Sequence, residues 1–541
     1  MRKLILLACL SSAAVAATAT GPSGIAPSAI RAHVEFLADD LLEGRAAGTR
    51  GYDLAARYVA SQMQAIGLEP AGDAGSWLQD VPLIQATRDH AASKLSLTSP
   101  DGSVDVLTPL DDFIAGFHFG RSASAVTAPA SYVGYGIHAP ELDHDDFAGI
   151  DLRGRIAVVL SGAPARFPNS QRAHYSSRTK IEGLVARGAV GVVTLDTPED
   201  EARSPWQRSK QLSWNPRMRL LDSAGAPVDS YPEILGAASV AVTAAPRFFA
   251  GAPASAEQAF AAAREGRFLS FHLPATISIA LENRIERVRS ANVAGLLRGN
   301  DPALAGEYVV ITAHLDHIGR GAAVDGDDIY NGALDNAAGV AILLEAARAL
   351  ANSVERPRRS ILFVALTGEE RGLLGAYQFA AHPGVPPGAL VANINNDMPM
   401  ALFPLAGLTM VGGEHSTLGA NASAALAAAG FAELPDAYPE EVVFVRSDQY
   451  PFVRAGVPAI FIVTGAQSTD AAVDAPAVVR HFLRETYHMP GDETTLPIDW
   501  PSLARIAEVN LRLALSVANA DARPQWLPGD FFGQTFGTKR D

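Results

Sequence analysis

From Asn292 onward the chain alternates short apolar runs with helical segments, and this alternation constrains the fold more than any other feature. The apolar runs are Tyr308–Ala313, Ser360–Leu366, Leu390–Ile394, Leu408–Val411, Val442–Val445 and Ala459–Val463. The helical segments are Ala337–Asn352, Gly372–Ala381, Ser416–Ala429, Tyr450–Ala455 and Trp500–Asn519. Runs that are apolar throughout are typical of strands covered on both faces. The pattern predicts an α/β domain with a mostly parallel or mixed central sheet and helices on both faces.

Polar residues able to bind metals follow several of these predicted strands. They are His314, Asp316, Asp335, Glu369, Glu370 and Asp397, with His488 in the loop before the final helix. In an open α/β sheet, ligands collect beyond the carboxyl ends of the strands. We therefore expect these side chains to share one site.

Each residue also has an ordinary structural explanation. The segment Thr367–Glu370 fits a capping box, in which both acids favour a helix N-terminus. Asp335 fits a second N-cap, Asp397 a turn, and His488 a surface or satisfied core histidine. Taken singly, none of these residues indicates a metal.

Taken together, the residues favour a metal site. Several carboxylates at one sheet edge would repel one another, and a pair of divalent cations removes that cost. Mixed imidazole and carboxylate ligands suit Zn²⁺, with Mn²⁺ or Co²⁺ as substitutes. Two metals about 3.5–4 Å apart share a bridging carboxylate. Asp335 lies between the other ligands in the sequence and is a candidate for that bridge.

Five motifs, in chain order, resemble the co-catalytic zinc aminopeptidases, which include the Streptomyces and vacuolar enzymes. The motifs are HLDH (314–317), GALDNAAG (332–339), TGEERGLLGA (367–376), NINNDMP (393–399) and YHMPGDE (487–493). An earlier segment, LLEGRAAGTRGYDLAARYVA (41–60), resembles the opening of the same family. The likeness covers about 28–119 and 292–520. The same superfamily includes glutamate carboxypeptidases and animal glutaminyl cyclases.

The resemblance implies two Zn²⁺ per chain. One zinc would be held by His314 and Asp397, and the other by Glu370 and His488. Asp335 would bridge the two ions. The resemblance also implies a cis peptide bond after Asp335.

Three further residues receive catalytic roles from the same resemblance. Glu369 would be the general base that activates a water bridging the metals. Asp316 would orient the ring of His314 through its other nitrogen, as metal-bound imidazoles generally require. Tyr487 would steady the oxyanion of the tetrahedral intermediate.

The function implied is that of a zinc-dependent exopeptidase, and we expect an aminopeptidase that releases neutral or apolar N-terminal residues. The acids Glu369 and Asp397 could hold the free ammonium of such a substrate. A carboxypeptidase of the glutamate carboxypeptidase type remains an alternative. The segment RSDQYPFVRAGVPAIFIVTG (446–465) carries Gln449 where the family usually has histidine, which makes specificity less transferable. A glutaminyl cyclase-like enzyme with one zinc and a non-catalytic binding protein of transferrin-receptor type are disfavoured by the complete ligand set.

The region from 126 to 281 has a different character and predicts an inserted β-rich domain. Its strand-like runs are Ala130–Val133, Ile156–Leu160, Val190–Leu195 and Ser239–Val242, with one helix-like run, Lys180–Arg187, and an irregular stretch, Arg203–Arg219. The segments YVGYGIHAP (132–140), DLRGRIAVVLSGAP (151–164) and RTKIEGLVARGAVGVVTL (178–195) resemble a protease-associated domain. Such a domain would restrict access to the site; a stability or partner-binding module is an equal alternative. By default, Arg172, Arg203 and Arg208 are solvated surface charges.

The N-terminus predicts export. Arg2 and Lys3 precede the apolar run Leu4–Val15, and Ala17–Ala19 forms a cleavage site. A lipid-attachment site at Cys9, the single cysteine, is a less favoured alternative. We expect a periplasmic or secreted protein with no transmembrane segment. The predicted organisation is a signal peptide (1–19), two peptidase segments (25–125 and 282–520), the insert (126–281) and a C-terminal tail (521–541).

The charge balance bears on the partner. The net charge of −15 argues against nucleic acid, because phosphate backbones require clustered Lys and Arg. The expected partner is a peptide substrate, while sequence alone assigns no oligomeric state.

Overall fold

The structure, a computed structural model, describes residues 24–437, 439 and 442–537. The predicted leader, with Cys9, and the last four residues of the predicted tail lie outside the described residues. Among the helices of the described chain, none is long and apolar enough to cross a membrane.

The helices begin and end where local sequence signals place them. In α2 the Thr49 side chain accepts a hydrogen bond from the amide of Tyr52, and Gly67 ends the helix with a φ of 89°. In α13 the Asp499 carboxylate accepts from the amide of Ser502. The helices are α1 (Pro27–Leu37), α2 (Arg50–Ile66), α3 (Asn169–Ser176), α4 (Arg178–Ala186), α5 (Pro198–Arg203), α6 (Trp206–Leu212), α7 (Ala256–Arg264), α8 (Ala338–Ala351), α9 (Leu374–Ala381), α10 (Leu418–Ala428), α11 (Gln449–Arg454), α12 (Ala475–His481), α13 (Trp500–Asn519) and α14 (Phe531–Phe536).

The strands of the described residues form two large sheets and two small hairpins. They are β1 (Glu69–Pro70), β2 (Leu78–Arg88), β3 (Lys94–Thr98), β4 (Val104–Val106), β5 (Phe113–Ala115), β6 (Ala123–Val133), β7 (His138–Ala139), β8 (His144–Asp145), β9 (Ile156–Leu160), β10 (Gly191–Leu195), β11 (Arg217–Leu220), β12 (Gly236–Val240), β13 (Ser270–Leu297), β14 (Tyr308–His314), β15 (Gly319–Val324), β16 (Asp327–Tyr330), β17 (Ser360–Leu366), β18 (Leu390–Asn396), β19 (Gly407–Val411), β20 (Ala432–Glu433) and β21 (Ala459–Thr464).

The first sheet is mixed, as the alternation predicted. Its centre is the parallel set β17–β14–β18–β21. Antiparallel strands flank it on both sides, with β19 on β21 and β13, β2 and β11 in succession beyond β17. Every residue of β17 is buried, and helices α1, α2, α8 and α13 share one apolar core with the sheet. Burial on both faces is the reason these strands read as continuous apolar runs. The α/β class is confirmed.

The second sheet has its own core and contains most strands of the predicted insert. Its order is β4–β3–β13–β6–β9–β10–β12–β5. Strand β13 is continuous through both sheets, pairing with β6 up to Glu282 and with β2 from Asn283 onward. The sheet therefore draws strands from both sides of the predicted boundary at residue 126, and the boundary at 281 falls inside β13. The division into domains and the protease-associated identity stay predictions.

Two local predictions were wrong. The stretch Arg203–Arg219, read as irregular, contains α6 and the start of β11, which pairs with β2. The apolar run Val442–Val445, read as a strand, contains a 3₁₀ turn at Val443–Val445. In both cases the segment is short, and tertiary contacts outweigh its intrinsic preference.

Candidate metal centre

Three neighbouring parallel strands deliver most of the predicted ligands to one edge of the first sheet. In β14 and β17, His314 is paired with Leu366, so the residues after each strand emerge at the same level. His314 ends β14, Glu369 and Glu370 follow β17, and Asp397 follows β18. The site therefore lies beyond the carboxyl ends of the strands, where the sheet topology predicts it.

The loop after β17 is not a helix cap. Gly368 has a φ of 65°, a left-handed conformation, and α9 begins six residues later at Leu374. The capping-box interpretation of Thr367 and Glu370 is therefore wrong. Both acids instead occupy a turn that directs their side chains toward the site. The amide of Glu369 donates to Asp316 Oδ1 at 3.1 Å, which ties this turn to the loop after β14.

The loop that carries Asp335 is fixed from the C-terminal part of the chain. The two carboxylate oxygens of Asp492 accept hydrogen bonds from the amides of Leu334 and Asp335, each at 2.9 Å. The bond between Asp335 and Asn336 is cis, as the family resemblance implied. Helix α8 begins at Ala338 without a side-chain cap, so the N-cap interpretation of Asp335 was also wrong.

The first ligand group lies around His314. Its Nε2 is 2.9 Å from Asp397 Oδ1 and 3.2 Å from Asp335 Oδ1. The orientation of the ring is fixed through its other nitrogen, because Nδ1 lies 2.9 Å from the main-chain oxygen of Asp316. Asp316 therefore contacts the ring through its carbonyl, while its carboxylate holds the amide of Glu369.

The second ligand group lies around His488 and uses the other oxygen of the shared carboxylate. His488 Nε2 is 3.1 Å from Glu370 Oε2 and 3.2 Å from Asp335 Oδ2. Each of the two carboxylate oxygens of Asp335 thus faces a different ligand group. This is the arrangement that a carboxylate bridge between two ions requires.

The donor spacing fits zinc. For metal–ligand distances near 2.0–2.1 Å, the donors of a tetrahedral site lie about 3.3 Å apart. The distances of 2.9–3.2 Å within both groups agree with that spacing. His314, Asp335 and Glu370 also have almost fully buried side chains. Burying so much acidic charge without cations would be costly, so the donor set suits two divalent ions.

His317 is a site residue that sequence reasoning missed. Its ring is fully buried, and Nδ1 lies 2.7 Å from Glu370 Oε1 and 3.8 Å from Asp335 Oδ2. Among the described residues, neither ring nitrogen has a hydrogen bond of normal geometry. His317, Asp335 and Glu370 could also hold an ion together, with His317 in place of His488 in the second ligand group. His317 is the fourth residue of the HLDH motif, for which the family resemblance predicts roles at the first and third residues only.

Arg45 is the second residue that sequence reasoning missed. Its guanidinium is buried and donates to the carbonyls of Leu315 at 2.9 Å, Asn331 at 2.6 Å and Gly332 at 3.1 Å. These carbonyls belong to the loops that carry Asp316 and Asp335. Arg45 therefore joins the two loops. The sequence feature that could have indicated this role is the LLEGRAAGTRG segment, which contains Arg45 and resembles the family's opening.

Asp397 is held by a polar network that includes the unusual Gln449. Ser447 Oγ donates to Asp397 Oδ2 at 2.6 Å. Asn395 Nδ2 donates to Ser447 Oγ and to Gln449 Oε1, both at 2.9 Å. Gln449 Nε2 donates in turn to the carbonyls of Val443 and Phe444. The glutamine is a buried supporting group beneath the site.

The site holds surplus negative charge. Burial raises the pKa of the Glu369 carboxyl well above its usual value, and the nearby acids Asp397, Glu370 and Asp448 raise it further, although His314 opposes them. Burial likewise raises the pKa of Asp448, and its oxygens have no hydrogen-bond donor within the described chain. These two acids are not ligands in either group, so they are available to a proton or to a cationic substrate group.

Tyr487 adjoins the second group. Its ring centroid is 3.8 Å from that of His488. Burial raises the pKa of its hydroxyl well above the usual value, and Asp335 and Glu370 raise it further. The tyrosine therefore stays protonated and can donate a hydrogen bond at neutral pH.

Comparisons with known proteins find similar peptidases for part of the chain. Residues 292–514 match the model of Peptidase family M28. Aminopeptidase NAALADL1 of Mus musculus is 32% identical over 114 residues, which is 20% of this chain and 14% of the mouse protein. A vacuolar membrane protease of Lachancea thermotolerans is 32% identical over 120 residues, or 22% of this chain and 11% of that protein. The matches span about a seventh or less of these relatives.

The fold is also found among solved structures. The aminopeptidase from Aneurinibacillus sp. strain AM-1 superposes with a TM-score of 0.52 at 19% identity, over 92% of this chain and 95% of that one. The likeness shows a shared fold across nearly the whole chain. With the ligand geometry and the family match over 292–514, it confirms the resemblance seen in the motifs. The part of the chain that carries the ligand groups, residues 292–514, is thus similar to peptidase family M28.

Proposed function

We propose that the protein is a di-zinc aminopeptidase that releases neutral or apolar N-terminal residues from peptides. The observation that carries the proposal is the pair of ligand groups joined by Asp335, with Glu369 beside the His314 group. His314 and Asp397 would hold one zinc, and Glu370 and His488 the other, with His317 facing the second group. When bound, the zinc ions would polarise the scissile carbonyl and make water more acidic.

The protein's own residues supply the proton transfers. Glu369, whose buried carboxyl has a raised pKa, is suited to take a proton from the attacking water and give it to the leaving amine. The Tyr487 hydroxyl remains protonated and is suited to donate to the developing oxyanion. Asp316 and Asp492 hold the loops of Glu369 and Asp335 in place.

Glu369 and Asp448, the buried acids outside both ligand groups, support release of residues from the amino end of a peptide. A free N-terminal ammonium would compensate the buried charge of Glu369 and Asp448, whereas a C-terminal carboxylate would add to it. The same charge disfavours acidic N-terminal side chains. One observation favours the carboxypeptidase alternative: Arg217, at the start of β11, is a cation close enough to Glu370 to interact with it electrostatically. Burial, and secondly Arg371, lower the pKa of its guanidinium, and Glu370 opposes them.

End-blocked peptides distinguish the two functions. The zinc-loaded protein is incubated with a leucine-initiated peptide in free, N-acetylated and C-amidated forms, and released residues are identified by mass spectrometry. We expect leucine from the free and amidated peptides and nothing from the acetylated one, because acetylation removes the ammonium. Cleavage of the acetylated peptide, together with protection by the amide, would establish the carboxypeptidase instead.

We also propose that the protein is exported and that the second-sheet region acts as a protease-associated domain. The support is the leader-like segment Arg2–Ala19 and the motif resemblance within 132–195. The mature protein should begin at residue 20, which N-terminal sequencing of the extracytoplasmic fraction would show. Recovery of the uncleaved protein, still carrying its leader, from the cytoplasm alone would contradict export.

A further inference from the structure

A short helix of the predicted insert reaches the loop that carries a metal ligand. The guanidinium of Arg208, in α6, donates from Nη2 to the carbonyl of Tyr487 at 2.8 Å and from Nη1 to the carbonyl of Leu483 at 3.2 Å. The centre of the same guanidinium lies 5.5 Å from the Tyr487 ring centroid. Arg208 is therefore not the solvated surface charge expected by default.

The carbonyl that Arg208 binds belongs to the peptide that leads directly into His488. His488 has a φ of 59°, in the left-handed region that non-glycine residues rarely adopt. Rotation about this φ angle would turn the Tyr487–His488 peptide plane or the imidazole itself. A hydrogen bond to the Tyr487 carbonyl restrains that plane, while Tyr487 N donates to Phe482 O at 2.8 Å on the other side of the residue.

Helix α6 is itself anchored to the second-sheet region. Trp206 Nε1 donates to the carbonyl of Leu110 at 2.8 Å, and Lys210 Nζ pairs with Asp111 at 2.7 Å. The first sheet also holds it: Arg88, the last residue of β2, donates from Nη1 to the carbonyl of Ser213, immediately after the helix, at 2.7 Å. The helix thus connects the loop between β4 and β5, two strands of the second sheet, to the metal loop through the forked side chain of Arg208.

We propose that Arg208 is a positioning residue through which the second-sheet region sets the orientation of Tyr487 and His488. The proposal rests on the proposed function, since it assigns Arg208 an effect on that reaction. Arg208 acts through main-chain carbonyls rather than on the reacting atoms. Without it, the Tyr487–His488 peptide gains freedom, the imidazole spends less time facing Glu370 and Asp335, and the tyrosine hydroxyl loses its fixed place.

The test compares Arg208→Ala and Arg208→Lys with the matched control Arg203→Ala. Arg203 lies in the neighbouring helix α5, is exposed, and pairs with Asp200 at 2.9 Å. For Arg208→Ala we expect kcat to fall about tenfold while KM stays within about twofold of the wild-type value. We also expect the more weakly bound of the two zinc ions to dissociate about tenfold more readily, as for other residues that orient metal ligands. Arg208→Lys, which keeps one donor but loses the fork, should recover part of both losses. Arg203→Ala should match the wild type.

The outcomes separate this proposal from the proposed function. If the wild type releases no residue from any peptide, the proposed function fails, while the zinc titration still tests the effect of Arg208 on His488. If the wild type is active and Arg208→Ala matches Arg203→Ala in kcat and zinc affinity, the Arg208 proposal is wrong. A rise in KM alone would also overturn it, because Arg208 would then bind substrate directly. Should Arg208→Ala fail to fold, unchanged kcat and zinc affinity in Arg208→Lys would be decisive against it.

Discussion

Replacing Glu369 with glutamine should reduce kcat by about 10²- to 10⁴-fold while leaving the bound zinc in place. Glutamine has the size of glutamate and cannot take a proton from water, so the change removes the base without creating a cavity. Glu369 belongs to neither ligand group, and its amide, which holds Asp316, is unchanged by the substitution. Steady-state hydrolysis of a leucine-initiated peptide, with zinc measured on the same samples, checks both parts.

A matched control makes the Glu369 result specific. Glu257→Gln removes the same charge from an exposed position in α7 and should retain full turnover and zinc. Near-normal turnover in Glu369→Gln would show that another group is the base, and Asp448 would be the next candidate because it is a buried acid near Glu369. Loss of zinc in Glu369→Gln would instead mean that Glu369 is a ligand.

Replacing Asp335 with asparagine or alanine should have the larger effect on metal binding, because each of its oxygens faces a different ligand group. We expect both zinc ions to be weakened and turnover to fall to background. Bound zinc stabilises the folded state in proportion to RT ln(1 + [Zn]/Kd), so zinc should raise the Tm of the wild type and leave that of the variants almost unchanged. Thermal melts with and without zinc give this comparison.

The control for Asp335 is Asp328→Asn. Asp328 lies in β16, is half-buried and pairs with Arg320 at 2.8 Å. It should keep the zinc-dependent rise in Tm and normal turnover. A variant of Asp335 that kept the full zinc-dependent rise would contradict its place between the two groups.

The sequence predicted the first sheet and the placement of the candidate ligands at its edge because both follow from simple rules. Wholly buried parallel strands leave continuous apolar runs, and their carboxyl ends meet at one edge. Helix α13 was predicted with the bounds that it has, Trp500–Asn519, since Asp499 and the apolar periodicity mark it clearly. His314, Asp335 and Glu370 lie together as expected.

The incorrect predictions and the site residues left unpredicted have a common physical cause. The decisive contacts are made by residues far apart in the chain. The Thr367–Glu370 capping pattern is locally sound, yet Gly368 turns left-handed and the helix starts later. His317 gains its place from Glu370, and no spacing rule links the two. Arg208 reaches a carbonyl that lies 279 positions away in the sequence. Strand β11 is four residues long and forms by pairing with β2.

Domain boundaries are also difficult to locate from the sequence when one strand belongs to two sheets. The change in composition near residue 281 was read as the end of an insert, but β13 continues through that point and joins both sheets. A strand shared by two sheets carries no loop signal at the place where its partners change. Strand β13 passes from β6 to β2 between Glu282 and Asn283 with no break in the strand.

The central claim is that two metal ions share Asp335, and counting zinc per chain tests it most directly. Native mass spectrometry of chelated protein titrated with zinc resolves chains that carry none, one or two ions. The account predicts that the wild type saturates at two zinc ions per chain and that Asp335→Asn stays below one under the same conditions. Saturation of the wild type at a single zinc, or two zinc ions in Asp335→Asn, would contradict it.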